Sequence, residues 1–119
     1  MDAVALQKGL HHRGPDGSGR WEGKNATMVH TRLAILDLTE AGRQPMRRGS
    51  LWVTYNGEIF NYVELRAELR GLGHDFESDC DTEVLLAGWQ QWGTECLQRL
   101  RGMWGFVLVD VAARKAWLC

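Results

Sequence analysis

From residue 26 to residue 36 the chain changes character every second position. Met28, His30, Arg32 and Ala34 fall on one side, and Val29, Thr31, Leu33 and Ile35 on the other. Alternation with frequent β-branched residues predicts a strand. Leu51 to Tyr55 predicts a second, ending at Asn56-Gly57, and Asp75 to Ser78 a short third. Met103 to Asp110 is almost wholly apolar. A strand apolar on both faces is expected to be covered on both, by a helix layer and by a second sheet. A turn at Ala112 to Arg114 leads into a returning strand from Lys115 to Cys119.

Between these runs the period lengthens. A short helix is plausible from Asp2 to His12. It ends in the loop Arg13 to Gly19, where Pro15 stands among three glycines. Gly42 to Met46 reads as a further loop. Asn61, with Glu64 three residues on, makes a capping pair for a helix whose face is Tyr62, Leu65, Leu69 and Leu72; Gly71 and Gly73 stop it. A second long helix opens at Asp81 or Thr82, with carboxylates in its first turn where the helix dipole favours them. Val84, Leu85, Gly88, Trp89 and Trp92 form its inward stripe, and Gly93 ends it. Thr94 to Arg101 is a third, with Cys96, Leu97 and Leu100 inward. Strands, then helices, then strands, with hairpin-like links, make an α+β domain with antiparallel pairing.

The length of 119 residues allows one domain, and 45% hydrophobic with 24% charged residues is globular composition. Fourteen basic against fifteen acidic residues leave a net charge of −1, which gives no footprint for nucleic acid. Arg43, Arg47 and Arg48 lie beside Gly49-Ser50 and read as a solvated turn. No run is long enough for a membrane span, and the start has no secretory pattern. Cys80, Cys96 and Cys119 make neither a disulfide framework nor a zinc spacing, so a reducing cytoplasm is the expected setting. None of His11, His12, His30 and His74 has a metal-ligand spacing. The apolar Trp117-Leu118-Cys119 reads as a cut rather than a natural terminus.

Taken singly, the polar clusters are ordinary. Pro15-Asp16-Gly17 is turn chemistry, Arg32 a strand charge, Asn56-Gly57 a hairpin turn and Asp81 a helix cap. In their order and spacing they resemble the class II glutamine amidotransferases, and among these the asparagine synthetases. The matching stretches are His12-Arg13-Gly14-Pro15-Asp16-Gly17-Ser18-Gly19, Arg32-Leu33-Ala34-Ile35-Leu36-Asp37 and Gln44-Pro45-Met46. They continue with Asn56-Gly57-Glu58-Ile59-Phe60-Asn61-Tyr62, Gly73-His74-Asp75-Phe76, Asp81-Thr82-Glu83 and Gly102-Met103, so the likeness runs from about His11 to Cys119.

The resemblance implies the αββα sandwich of N-terminal nucleophile hydrolases and attack on glutamine by a cysteine whose own α-amine is the base. It implies an oxyanion hole from the Asn56 side-chain amide and the Gly57 backbone N–H. Arg32 matches the group that grips the α-carboxylate, and Asp81, with Glu58 as second candidate, the group that pairs with the α-ammonium. Backbone near Leu33 and Ile35 would line the same pocket. The ammonia would pass to a synthetase domain that makes β-aspartyl-AMP from aspartate with ATP and magnesium; no cofactor is expected in this chain.

One departure matters. The family's cysteine starts a strand some dozens of residues before the His-Arg-Gly-Pro motif, whereas here Met1 precedes His11 by ten residues and is followed by Asp2. The expectation is therefore an incomplete sandwich lacking its first strand, a partial domain over residues 1–119, inactive alone and, with a sheet edge exposed, either marginal, self-associating through that edge or partly disordered. Cys80, beside Asp81 at a helix start, has a setting that lowers a thiol pKa, but without an α-amine it is read as inert. The competing reading is a non-catalytic scaffold, as in the β-lactam-forming synthetases that have lost the cysteine. The pocket residues Arg32, Asn56, Gly57 and Asp81 favour the enzyme piece.

Overall fold

The computed structural model describes residues 2–32 and 42–119. In chain order it holds α1 (Ala3–Leu10), a 3-10 turn (His11–Arg13), β1 (Gly17–Glu22), β2 (Thr27–Arg32), β3 (Met46–Arg48), β4 (Leu51–Ile59), α2 (Tyr62–Gly71) and α3 (Asp81–Trp92). A 3-10 turn (Gly93–Glu95), α4 (Cys96–Arg99), β5 (Gly102–Asp110) and β6 (Lys115–Leu118) complete it. The predicted strand from residue 26 is seen as β2; its continuation beyond Arg32 lies outside the described residues.

All strand pairing between named strands is antiparallel. β1 and β2 form a two-stranded sheet, and a second sheet has the order β3-β4-β5-β6. β4 alternates, with the break at the exposed Gly57. Leu51, Val53, Tyr55 and Ile59 are buried, and they share a core with Leu69 of α2, Val84, Leu85 and Leu86 of α3, and Phe106 and Leu108 of β5. This apolar burial, at about 25 cal/mol per Å², fixes the helices on that face. The other face of β4 meets the small sheet: Trp21 stacks on Trp52 at 5.2 Å, and His30 Nδ1 lies 3.0 Å from Thr54 Oγ1. On the far side of the small sheet α1 packs against β2, where the Thr31 hydroxyl donates to the Leu10 carbonyl. The layers therefore run helix, sheet, sheet, helix, the α+β sandwich expected from the sequence.

Several local expectations are corrected. Gly17-Ser18-Gly19 belongs to β1, not to a loop, because it pairs with Arg32, Thr31 and His30 of β2; Gly19 is small because a Cβ there would strike the Gln44 carbonyl. Met46 opens β3 instead of closing a loop. Asn56-Gly57 does not turn, for β4 runs through it to Ile59, paired throughout with β5. Asp75 to Ser78 is no strand: the N–H groups of Glu77 and Ser78 donate to the Glu83 carboxylate at 2.7 and 3.0 Å, and no ladder claims them. Asn61 begins α2 without a side-chain cap; its amide donates to the Arg99 carbonyl and accepts from the Arg101 N–H, tying α2 to the start of β5. β5 is covered on its Phe106 and Leu108 face, while on the other Met103 remains 66% exposed.

Candidate functional site

β3 pairs with β4 only from Arg48↔Leu51 to Met46↔Val53. Beyond Val53 that side of β4 has no neighbouring strand among the described residues. In an extended strand every second N–H points to the same side. Tyr55 N–H points to the open side and donates to Gln44 Oε1 at 2.6 Å. Ile59 N–H does the same, to Asp81 Oδ2 at 3.0 Å. Gly57 lies midway between them, so its N–H points to the same edge. Phe106, opposite Tyr55, turns its own N–H and C=O toward Cys119, which agrees with this alternation. Among the described residues the Gly57 N–H has no acceptor.

The edge opens on a cavity of about 450 Å³. Its lining includes Arg32, Asn56, Gly57, Glu58 and Asp81, five of the seven residues singled out from the sequence. Leu33 and Ile35 lie outside the described residues.

Arg32 arrives as the last residue of β2. The Gly14 to Gly17 segment is laid against its backbone: Asp16 N–H donates to the Arg32 carbonyl at 2.9 Å, and Gly17 is its ladder partner. A Cβ on Gly14 would collide with the Thr31 carbonyl, so the Gly-Pro-Asp-Gly run is shaped to that approach. Asn56 and Glu58 stand on the face of β4 that also carries Trp52 and Thr54, toward the small sheet. Glu58 makes no side-chain hydrogen bond or ion pair with the described residues.

Asp81, 4% exposed, opens α3 from the opposite wall. Its Oδ2 accepts from the Tyr55 hydroxyl at 2.9 Å as well as from Ile59 N–H, which holds the carboxylate against the strand edge. Burial first, and then the Asp81 charge, push the Tyr55 phenol up, so it stays a proton donor. Asp81 Oδ1 faces Cys80 Sγ at 3.7 Å.

Cys80 does line the cavity, yet its environment is the reverse of an activating one. Burial raises the thiol pKa more than anything else and the Asp81 carboxylate adds to it, while hydrogen bonds with Thr82 pull the other way. The helix start at Cys80 does not overcome desolvation. Cys96 is buried in the core and pushed up to about 12.

His30, Gln44 and Thr82 are among the lining residues that carried no role in the sequence reading. His30 sits between Arg32 and the inter-sheet contact; burial and then Arg32 hold its pKa down to about 4, so the imidazole is neutral at pH 7. Its place on the Arg32 side of the alternation was the available signal. Gln44 and Thr82 were parts of noted motifs, but their contact spans 38 positions of sequence and no local pattern reports it. Among the described residues no cluster of three or more His, Cys, Asp or Glu is placed to hold a metal ion, and no helix is long and apolar enough to cross a membrane.

Residues 2–119 match the family of the glutamine amidotransferase domain. The chain is 43% identical to asparagine synthetase [glutamine-hydrolyzing] 3 of Bacillus subtilis strain 168, over 85% of this chain and 17% of that one. It is 42% identical to asparagine synthetase B [glutamine-hydrolyzing] of Escherichia coli K12, over 91% of this chain and 20% of that one. Among solved structures it is similar to the glutamine phosphoribosylpyrophosphate amidotransferase of B. subtilis, complexed with ADP and GMP. The TM-score there is 0.61 at 26% identity, covering 71% of this chain and 21% of that one. The chain thus spans about a fifth of the length of these relatives.

Proposed function

Since the chain belongs to the glutamine amidotransferase domain family, we propose that its cavity takes one molecule of L-glutamine and holds the side-chain amide for hydrolysis. The reading is carried by one observation: a main-chain N–H with no acceptor among the described residues, that of Gly57, faces a cavity that has Arg32 on one side and the Asp81 carboxylate on another.

In this reading Arg32 receives the α-carboxylate, which suits the planar fork of a guanidinium. Asp81 Oδ1 receives the α-ammonium, with Glu58 as a second carboxylate at the same end. The side-chain carbonyl oxygen lies against Gly57 N–H and the Asn56 amide. When a thiolate adds to the carbonyl carbon, the C=O electron pair moves onto oxygen, and those two donors stabilise the resulting oxyanion. Collapse expels ammonia, and water then cleaves the thioester to give glutamate. Removing one such donor typically costs on the order of 100-fold or more in rate.

We do not assign Cys80, Cys96 or Cys119 as the nucleophile. Cys80 is a poor thiolate beside Asp81, and Cys96 is core. In the family it is a chain-terminal cysteine, and this chain's own part is to bind glutamine and stabilise the oxyanion. The names of the relatives join asparagine synthesis to glutamine hydrolysis; in the proposed reading the ammonia passes to a synthetase domain that amidates aspartate with ATP and magnesium. Free, buried Cys80 and Cys96 suit a reducing cytoplasm.

Calorimetric titration tests the reading. L-Glutamine should bind the wild-type chain, and Arg32→Ala should weaken it on the order of 100-fold through loss of a charged hydrogen-bonding partner worth about 3 kcal/mol. Undiminished binding in that variant would end the assignment of the cavity.

A further inference from the structure

Resting on the glutamine reading, we infer that Gln44 and Thr82 are positioning residues. Together they fix the distance between the Gly57 N–H and the Asp81 carboxylate, and so select an amino acid with glutamine's side-chain length.

The argument starts at the end of β3. Its register, Met46↔Val53, continued by two residues would set Gln44 against Tyr55 and, by four, Gly42 against Gly57. A main chain following that course would take up the Gly57 N–H. The chain leaves the ladder instead, at Pro45, which has no N–H to give. The side chain of Gln44 then takes the place of a strand for one hydrogen bond only, its Oε1 accepting from Tyr55 N–H at 2.6 Å. The described residues leave the Gly57 edge open, and Gly42 and Gln44 become walls of the cavity.

The other end of the same amide reaches across to α3. Nε2 of Gln44 donates to Thr82 Oγ1 at 3.3 Å, and Thr82 directly follows Asp81. Both residues are buried, Gln44 at 8% exposure and Thr82 at 1%. The close pass of Gly19 against the Gln44 carbonyl fixes the backbone from behind. A planar amide is therefore a rigid rung between the strand edge and the helix start. Along the edge, Gly57 N–H is about 7 Å from the Ile59 N–H on which Asp81 rests, two residues of strand. That interval separates the oxyanion donor from the ammonium site, and asparagine is one methylene too short to span it in the same pose.

The test uses the full chain and reads the ratio of Kd for L-asparagine to Kd for L-glutamine. Wild type should prefer glutamine. Thr82→Val, similar in volume but without the hydroxyl, should weaken glutamine binding about tenfold and leave asparagine unchanged. The ratio then falls about tenfold, and Thr82→Ser should restore it. A purely structural role would move the melting temperature and leave the ratio as it was. A ratio unchanged in Thr82→Val, while Arg32→Ala still weakens glutamine binding on the order of 100-fold, overturns the inference alone. No glutamine binding by wild type removes the glutamine reading and the inference with it. Should Thr82→Val not fold, amide hydrogen exchange on the wild type decides. Tyr55 N–H should be protected in the free chain, and Gly57 N–H should exchange fast until glutamine, but not asparagine, is added. Equal protection of the two amides in the free chain would contradict the rung.

Discussion

Asp81→Ala is expected to destabilise the domain by about 3 kcal/mol and to remove glutamine binding at once. The carboxylate is buried and its Oδ2 takes two donors, the Tyr55 hydroxyl and the Ile59 N–H. Truncation leaves both donors in the interior without an acceptor, and each such loss costs about 1–3 kcal/mol. It also takes a negative charge from the first turn of α3, worth about 0.3–1 kcal/mol. Urea unfolding at pH 7 measures the sum, and a loss below about 1 kcal/mol would show that the donors find other partners. Asp81→Asn separates the two roles. One amide oxygen still accepts from the strand edge, so most of the stability should remain, but the charge for an ammonium is gone. Glutamine affinity should fall in that variant nearly as far as in Asp81→Ala.

Gly57→Ala should have an effect of similar size by a different route. The residue sits at φ +153°, and a Cβ there would collide with the Met103 carbonyl and approach the Cα of Trp104 on β5. The obstacle is backbone, so no rotamer change relieves it. β4 and β5 must separate or slip where they carry the core residues Tyr55, Ile59 and Phe106. Overpacking with backbone shifts costs about 1–3 kcal/mol, and the strained φ adds about 1–3 kcal/mol. Thermal unfolding followed by circular dichroism should show the loss, and the variant should bind no glutamine even where it remains folded. A variant with wild-type stability would mean that the strand pair is looser than its register implies.

The residues that the sequence marked for chemistry differ from those it passed over in one physical respect. Arg32, Asp81 and Glu58 are charges set in apolar or capping contexts, and that local mismatch is visible in a single chain. The Gln44 amide and the Thr82 hydroxyl are neutral and unremarkable until the fold brings them together. The same distinction runs through the secondary structure. α2 was legible because its buried positions, Leu65, Arg66 and Leu69, keep a helical spacing; α3 is buried at every position from Asp81 to Trp89, and its acidic first turn and the Gly93 stop were what marked it. Asn56-Gly57 has the local preference of a turn, but nine ladder pairs with β5 override it. Gly17-Ser18-Gly19 looks like a loop for its glycines, and it is a strand because β2 pairs with it, while Gln44 passes too close to allow a side chain at Gly19. Asp75 to Ser78 has the composition of a strand, yet the buried Glu83 carboxylate claims its N–H groups first. In each case a partner remote in sequence, or a neighbour's backbone, decides against the local pattern.

The claim that one bound amino acid links Arg32, Asp81 and Gly57 is tested most directly by determining the structure of the chain with L-glutamine. The account predicts the side-chain carbonyl oxygen about 3 Å from the Gly57 nitrogen, the α-carboxylate on Arg32 and the α-ammonium on Asp81. Glutamine bound elsewhere, or bound in the cavity with its amide turned away from Gly57, would contradict it.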